Sequence, residues 1–226
     1  MKATLCYLHD PMCSWCWGFR PVWDEIQERL ESNLPELDVV YIVGGLAPDC
    51  DDPMPLEMRS AIEGYWKRIA TELGTTFNHA FWTENTPRRS TYLACRAVLA
   101  AKRQHREYEM IDAIQKGYYL RAMNPSDEAV LIQLAEEILD HGCDSLEQFC
   151  SDLRSTEIEQ ELQQHIRQSR QFQRQGLANG FPSLVLNVER AREREESSNG
   201  GSYAIDIDYK DANAVCSRIE SYFTII

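Results

Sequence analysis

Positive charge is scarce in this chain of 226 residues: 23 lysines and arginines face 36 acids, for a formal net charge of −13. So acidic a balance excludes a protein that grips the phosphate backbone of nucleic acids through a basic face. Long hydrophobic runs are missing as well. No segment approaches the roughly 18 consecutive apolar residues that a membrane span requires. The apolar run in Met1-Lys2-Ala3-Thr4-Leu5-Cys6-Tyr7-Leu8-His9-Asp10 is closed by polar residues too early for a secretory signal. The expectation is a cytoplasmic protein with neither membrane nor nucleic-acid partners. Internal repeats and low-complexity linkers are absent from the central half, which reads as compact.

Cysteine, by contrast, is plentiful, with eight in the chain. Six of them, Cys6, Cys50, Cys95, Cys143, Cys150 and Cys216, are scattered among long helical patterns and read as small hydrophobes rather than a disulfide framework. The other two stand in Asp10-Pro11-Met12-Cys13-Ser14-Trp15-Cys16-Trp17-Gly18-Phe19. Thiols three positions apart open and close a disulfide with little backbone movement, so this stretch reads as a redox centre. A zinc half-site is the competing account. Its other half would be Cys143 and Cys150, which are spaced more widely than the two to four residues usual in zinc motifs, or histidines, whose spacing suggests no metal.

The periodicities place that stretch. Residues 3–9 read as a buried strand, ended by Asp10-Pro11. From about Ser14 to Leu30 the apolar residues Phe19, Trp23, Ile26 and Leu30 recur at helical spacing. Pro21 bends this helix, so that the first turn presents Cys13 to solvent. Leu37 to Val43 is a second strand, ended by Gly44-Gly45, and the βαβ unit makes the two strands parallel. From about Leu56 to Phe172 the pattern is helical. One helix runs through Met58 and Leu73 to Gly74. Thr86-Pro87 and Asn124-Pro125 are expected to open two more, the latter stopped by His141-Gly142. A further helix starts near Arg106. Ser145 with Gln148 and Thr156 with Glu159 have capping-box spacing for the last two. Strands return at Ser183–Val188 and Ser202–Ile207, joined by a charged connector from Glu189 to Gly201 that reads as a hairpin loop, and Asp211-Ala212 opens a final helix.

A βαβ unit, a helical insertion and then ββα is the layout of the thioredoxin fold. The stretch from Asp10 to Gly18, together with Asn179-Gly180-Phe181-Pro182-Ser183 ahead of a strand, resembles the DsbA-like thioredoxin family, most closely its FrnE-like branch without signal peptides. The resemblance implies an α/β thioredoxin fold with a large all-helical insertion between the second and third strands. The thioredoxin-like part is then 1–45 and 176–226, and the helical subdomain 46–175. It also implies that Pro182 has a cis peptide bond and faces the dithiol, that the Phe181 backbone pairs with an incoming peptide, and that Pro21 matches the kink proline of the first helix.

The expected activity is thiol–disulfide exchange through a mixed disulfide, with disulfide isomerisation as a variant of the same chemistry. Cys13, at the helix N-terminus, is the nucleophile because unpaired amides there favour a thiolate, and Cys16 resolves. Met12, Ser14, Trp15, Phe181 and Pro182 form the substrate-binding rim, with Trp17 a weaker candidate. No cofactor or metal is expected. The partner is a protein or small molecule carrying a thiol or disulfide, with glutathione a candidate co-substrate, and the oligomeric state stays open. Two alternatives carry weight. One is a glutathione-dependent isomerase or transferase, as in the related kappa-class glutathione transferases and 2-hydroxychromene-2-carboxylate isomerases, whose single nucleophile a complete CxxC argues against. The other is a peptide-binding chaperone. His9 reads as structural before it reads as a proton relay, Asp10 as a cap, and Arg88-Arg89-Ser90 as a solvated basic patch before it reads as a site for an anion such as a glutathione carboxylate.

Overall fold

The computed structural model describes residues 2–139, 144–189 and 201–224. In chain order the elements are β1 (Lys2–His9), α1 (Ser14–Asn33), β2 (Leu37–Val43), α2 (Leu56–Leu73), α3 (Phe81–Glu84), α4 (Tyr92–Lys102), α5 (Glu107–Leu120), α6 (Glu128–Ile138), α7 (Leu146–Leu153), α8 (Thr156–Arg174), β3 (Ser183–Glu189), β4 (Gly201–Ile205) and α9 (Ala212–Thr224). The strands form one mixed sheet in the order β2-β1-β3-β4. Strands β1 and β2 are parallel and pair His9 with Val43, whereas β1 and β3 are antiparallel and pair Leu8 with Ser183. This register brings the ends of β1 and β2 beside the start of β3. The three loops that follow or precede those ends therefore share one edge of the sheet.

Strand β1 is central and covered on both faces, which is why its sequence is a nearly unbroken apolar run. Leu5 and Tyr7 join Phe19, Trp23 and Ile26 of α1 in the main core, which continues into Ala94–Ala101 of α4 and into α5–α8. Cys6 and Leu8 face the other way, onto Ile42, Val185 and Phe172 at the end of α8. A separate aromatic cluster holds Trp66 of α2, Phe81 and Trp82 of α3, and Tyr118 and Tyr119 of α5. Arg20 fixes α1 against α5: its guanidinium donates to Asp24 (2.6 Å), to Gln115 (3.0 Å) and to the Tyr108 hydroxyl (2.6 Å), and it pairs with Asp112 at 3.2 Å. Helix α1 runs unbroken through Pro21, which lies on its exposed side.

Several helix starts differ from the sequence expectation. Thr86-Pro87 opens no helix; α4 starts at Tyr92. The intervening backbone instead pairs with the loop after β2, through Met54 N–H to the Pro87 carbonyl (2.7 Å) and Thr91 N–H to the Ala47 carbonyl (3.0 Å). Asn124-Pro125 lies in a turn in which the Asn124 side-chain Oδ1 accepts from the Ser126 amide (3.3 Å), and α6 begins only after the extended Asp127. Helix α8 is capped one residue earlier than expected, by Ser155 accepting from the Ile158 amide (3.1 Å), so Thr156 is already helical. Ser145 does cap α7, accepting from Gln148 N–H, while its own amide donates to Gln104 (2.7 Å) rather than to Gln148. The His141-Gly142 stop, Cys143 and the 190–200 connector lie outside the described residues.

Two histidines are held in their neutral form by the packing. His9, fully buried at the end of β1, has no partner for either ring nitrogen among the described residues, and burial pushes it down to about 3. His165 of α8 accepts from the Val43 amide (3.3 Å), and burial pushes it down to about 4. Unfolded, each recovers an ordinary value near 6.5 and binds a proton first. Stability is therefore complete above that value and is lost as pH falls toward the folded values, by about 1.3 kcal/mol per pH unit for each histidine near pH 5. Burial raises the Asp10 carboxyl, which gives the opposite slope, so the histidine contribution is read by difference. Urea unfolding from pH 5 to 7 is expected to show His9→Phe with a slope shallower by that single-histidine amount. An unchanged slope would mean that His9 takes up its proton in the fold as readily as in the unfolded chain.

Candidate active site

Residues 10–16 carry the chain from the end of β1 into α1, and one carboxylate organises the turn. Asp10, fully buried, accepts from the Met12 amide (2.8 Å), the Leu46 amide (2.8 Å) and the Thr91 hydroxyl (2.8 Å), with the Cys95 sulfur at 3.6 Å. Its backbone carbonyl accepts from the Cys13 amide at 3.0 Å. The loop before the dithiol, the loop after β2 and the start of α4 thus meet on a single side chain.

Cys13 is the N-cap of α1, and its sulfur accepts from the Cys16 amide at 3.4 Å. Its thiol also donates to the Phe181 carbonyl at 3.5 Å, across the whole chain. The sequence led us to expect an exposed first turn, yet Cys13 is only 7 % exposed, because Phe181 and the loop after β2 close over it. Cys16 is completely buried, and burial together with the neighbouring Cys13 sulfur pushes its thiol well up. The two sulfurs are present as free thiols.

The Phe181–Pro182 peptide bond is cis. Phe181 lies directly over Gly44: a Cβ on Gly44 would stand 1.8 Å from the Phe181 ring, far inside contact distance. The Gly44 amide donates to the His9 carbonyl at 2.7 Å, so that glycine is fixed at the sheet edge and the ring rests upon it.

Two cavities flank the dithiol, and Trp15 and Phe181 line both, standing as the partition between them. One, of about 210 Å³, contains Cys13, Met12, Ser14 and the segment Arg88–Thr91. The other, of about 500 Å³, runs beside Pro182, Leu177–Asn179 and Ala204–Ile207 and does not include either thiol. Trp15 meets Tyr209 edge-on at 5.4 Å, and Arg68 of α2 lies over its ring.

This geometry coincides with a family likeness. The sequence profile of the DSBA-like thioredoxin domain matches residues 7–192. The chain belongs to that family. No curated protein sequence matches it significantly. Among solved structures, a Nitrosomonas europaea protein provisionally described as a protein disulfide isomerase is 25% identical, with a TM-score of 0.76 over 100% of this chain and 99% of that one. The cytosolic disulfide reductase DsbM of Pseudomonas aeruginosa is 24% identical, with a TM-score of 0.70 over 99% of this chain and 100% of its own. DsbM solved with GSH superimposes with a TM-score of 0.68 at 24% identity, over 98% of each chain. As a DSBA-like protein the chain has thiol–disulfide oxidoreductase chemistry as its family activity.

Met12, Cys13, Ser14, Trp15, Phe181 and Pro182 lie together at this edge of the DSBA-like fold, with Cys16 directly beneath. Trp17 faces elsewhere, stacked on Tyr119 at 5.5 Å, and its indole N–H donates to the Thr76 carbonyl (3.1 Å). His9 packs inside, stacked on Tyr7 at 5.2 Å. Two contributors were undervalued. Asp10 binds three segments and does more than cap its own turn; an Asp-Pro at a strand end signals an Asx turn, but nothing in the sequence points to Leu46 and Thr91. Gly44 reads in the sequence as a strand-ending turn, and only the tertiary approach of Phe181 shows why a side chain is excluded.

Gly44→Ala is expected to displace the Phe181 ring and to destabilise the fold by about 1–3 kcal/mol. In a Phe181→Ala background the same substitution is expected to cost far less. Denaturant unfolding of the four-member cycle measures the coupling, and additive costs would show that the ring does not rest on Gly44.

Proposed function

We propose that the chain is a cytoplasmic thiol–disulfide oxidoreductase in which Cys13 attacks, Cys16 resolves, and a small thiol such as glutathione serves as co-substrate. The observation that carries this is the arrangement of the two sulfurs at the amide end of α1. Cys13 opens into a cavity, whereas Cys16 is sealed behind it. In the forward direction the Cys13 thiolate attacks one sulfur of a substrate disulfide. That bond breaks, and the departing sulfur leaves as a thiolate and takes up a proton. Cys16 then gives up its proton and attacks the Cys13 sulfur, releasing the second substrate thiol and leaving a Cys13–Cys16 disulfide. Two electrons pass to the substrate. Two small thiols return them by the reverse sequence, leaving as their own disulfide.

The contacts favour a reducing or isomerising role over that of a strong oxidant. A strong oxidant gains its power from extra stabilisation of the reduced pair. Here the Cys13 sulfur has one amide donor and a carbonyl, and neither Ser14 nor Trp15 between the thiols is a cation. The likeness to DsbM, a cytosolic disulfide reductase also solved with GSH, supports the same direction, location and co-substrate. A protein disulfide would be received along the larger cavity beside Pro182, with Trp15 and Phe181 offering apolar contact. An isomerase or transferase with a single nucleophile would have no use for Cys16.

With a disulfide-bonded protein as substrate, Cys16→Ser is expected to accumulate mixed disulfides on non-reducing gels and Cys13→Ser to form none; the reverse pattern would exchange the two roles. Equilibration of the Cys13/Cys16 couple in glutathione buffers is expected to give a potential near −200 mV or lower, well below the roughly −120 mV of a strong oxidant. A value near the latter would refute the reducing role.

A further inference from the structure

Charge separates the cavities around α1. The one beneath Trp17 and Arg20, about 660 Å³, is lined by Arg20 and Lys116 against Asp24 and Asp112, and those groups pair with one another. The one beside Pro182 has a single charged residue in its wall, Asp206. The cavity that holds Cys13 differs from both: two arginines line it and no acidic residue does. In a chain of net charge −13 this is a local reversal of sign.

The two arginines are not equivalent. Arg88 is committed outside the cavity, donating to the Ser126 carbonyl and to the Asp127 carboxylate. Arg89 makes neither a hydrogen bond nor an ion pair among the described residues, although it is half-buried. A half-buried guanidinium with no anion beside it keeps its donors free, and its planar fork matches a carboxylate. The backbone that carries it is held on both sides. Pro87 accepts from the Met54 amide (2.7 Å), the Ser90 carbonyl accepts from the Ser126 hydroxyl (3.0 Å), and the Thr91 side chain is hydrogen-bonded to Asp10 (2.8 Å). Because Asp10 also accepts from Met12, next to Cys13, the cation and the thiol are fixed to the same anchor. Such a site is preorganised for a ligand that carries its sulfur and its anion at a set separation.

We propose that Arg89 is a specificity-determining residue that binds a carboxylate of the small thiol reacting at Cys13, so that the co-substrate class is a carboxylate-bearing small thiol. The inference rests on the exchange chemistry proposed above and names its electron donor. A thiolate of that class attacks the Cys13 sulfur of the Cys13–Cys16 disulfide, and Cys16 leaves and is protonated. A second thiolate then attacks the ligand sulfur of the mixed disulfide, releasing reduced Cys13 and the disulfide of the small thiol.

The test uses the oxidised full chain and three thiols: glutathione, its diethyl ester, in which the same thiol has lost both carboxylates, and 2-mercaptoethanol. Acid quenching and thiol labelling give the second-order rate constants, each corrected for the thiolate fraction. Glutathione is expected to exceed its diester by tenfold or more. Arg89→Gln is expected to bring that ratio close to one, and Arg89→Lys to restore part of it. A ratio unaltered by Arg89→Gln, or a glutathione rate lowered only in step with the diester rate, would overturn the proposal. If the Cys13–Cys16 disulfide reacts with none of the three thiols, the exchange chemistry fails and the proposal with it. If it reacts with all three and shows no preference for a carboxylate, the chemistry stands and the role of Arg89 falls.

Discussion

The buried carboxylate of Asp10 is the constraint on which the rest of the site depends. Burial alone would make it neutral, and its raised carboxyl reflects that cost, yet the Leu46 and Met12 amides and the Thr91 hydroxyl all work to hold it charged. Each of those donors belongs to a different segment: the turn into α1, the loop after β2 and the approach to α4. An Ala at this position would strand two backbone amides in the interior, at about 1–3 kcal/mol each. The same change would free three loops at once. Precision at Cys13 therefore derives from a group that does not touch the thiol's partner.

A second constraint works through shape. Phe181 has to lie flat on the edge of the sheet for its carbonyl to reach the Cys13 thiol, and the bare backbone of Gly44 leaves the space. The ring then divides the rim with Trp15 into a large, nearly uncharged side and a small, positively charged side. One sulfur thus stands at the border of two environments of different charge, one nearly uncharged and one positive. Arg20, clamped between Asp24 and Asp112, keeps α1 from rolling on α5, which would otherwise blur that border.

Much of this was legible in the sequence because it depends on short-range chemistry. The spacing of Cys13 and Cys16, the alternation and burial of residues 3–9, the helical period through Phe19, Trp23 and Ile26, and the proline before Ser183 each encode their own local structure. The errors arose where a local signal competed with distant partners. Thr86-Pro87 has the composition of a helix start, but its backbone finds acceptors and donors in the loop after β2, and an extended pairing wins over a helical one. Thr156 and its neighbour Ser155 both qualify as caps, and only geometry separates them. The closing of Cys13 against solvent, the seat of Phe181 on Gly44 and the three-way hold of Asp10 are long-range facts with no pattern in the chain to announce them. Arg89 looked like surface because its lack of a partner is visible only in three dimensions.

The contact between the Cys13 thiol and the Phe181 carbonyl joins residues 168 positions apart. During synthesis, at about 5–20 residues per second, the dithiol emerges roughly 10–30 s before the segment that covers it. For that interval the nascent chain displays the cysteines without their roof, and β1 without its β3 neighbour. The dithiol is thus made well before the segment that completes its site. An unguarded thiol pair on a growing chain is open to any disulfide nearby. Until the second strand pair closes over the centre, the fold itself gives the two thiols no cover.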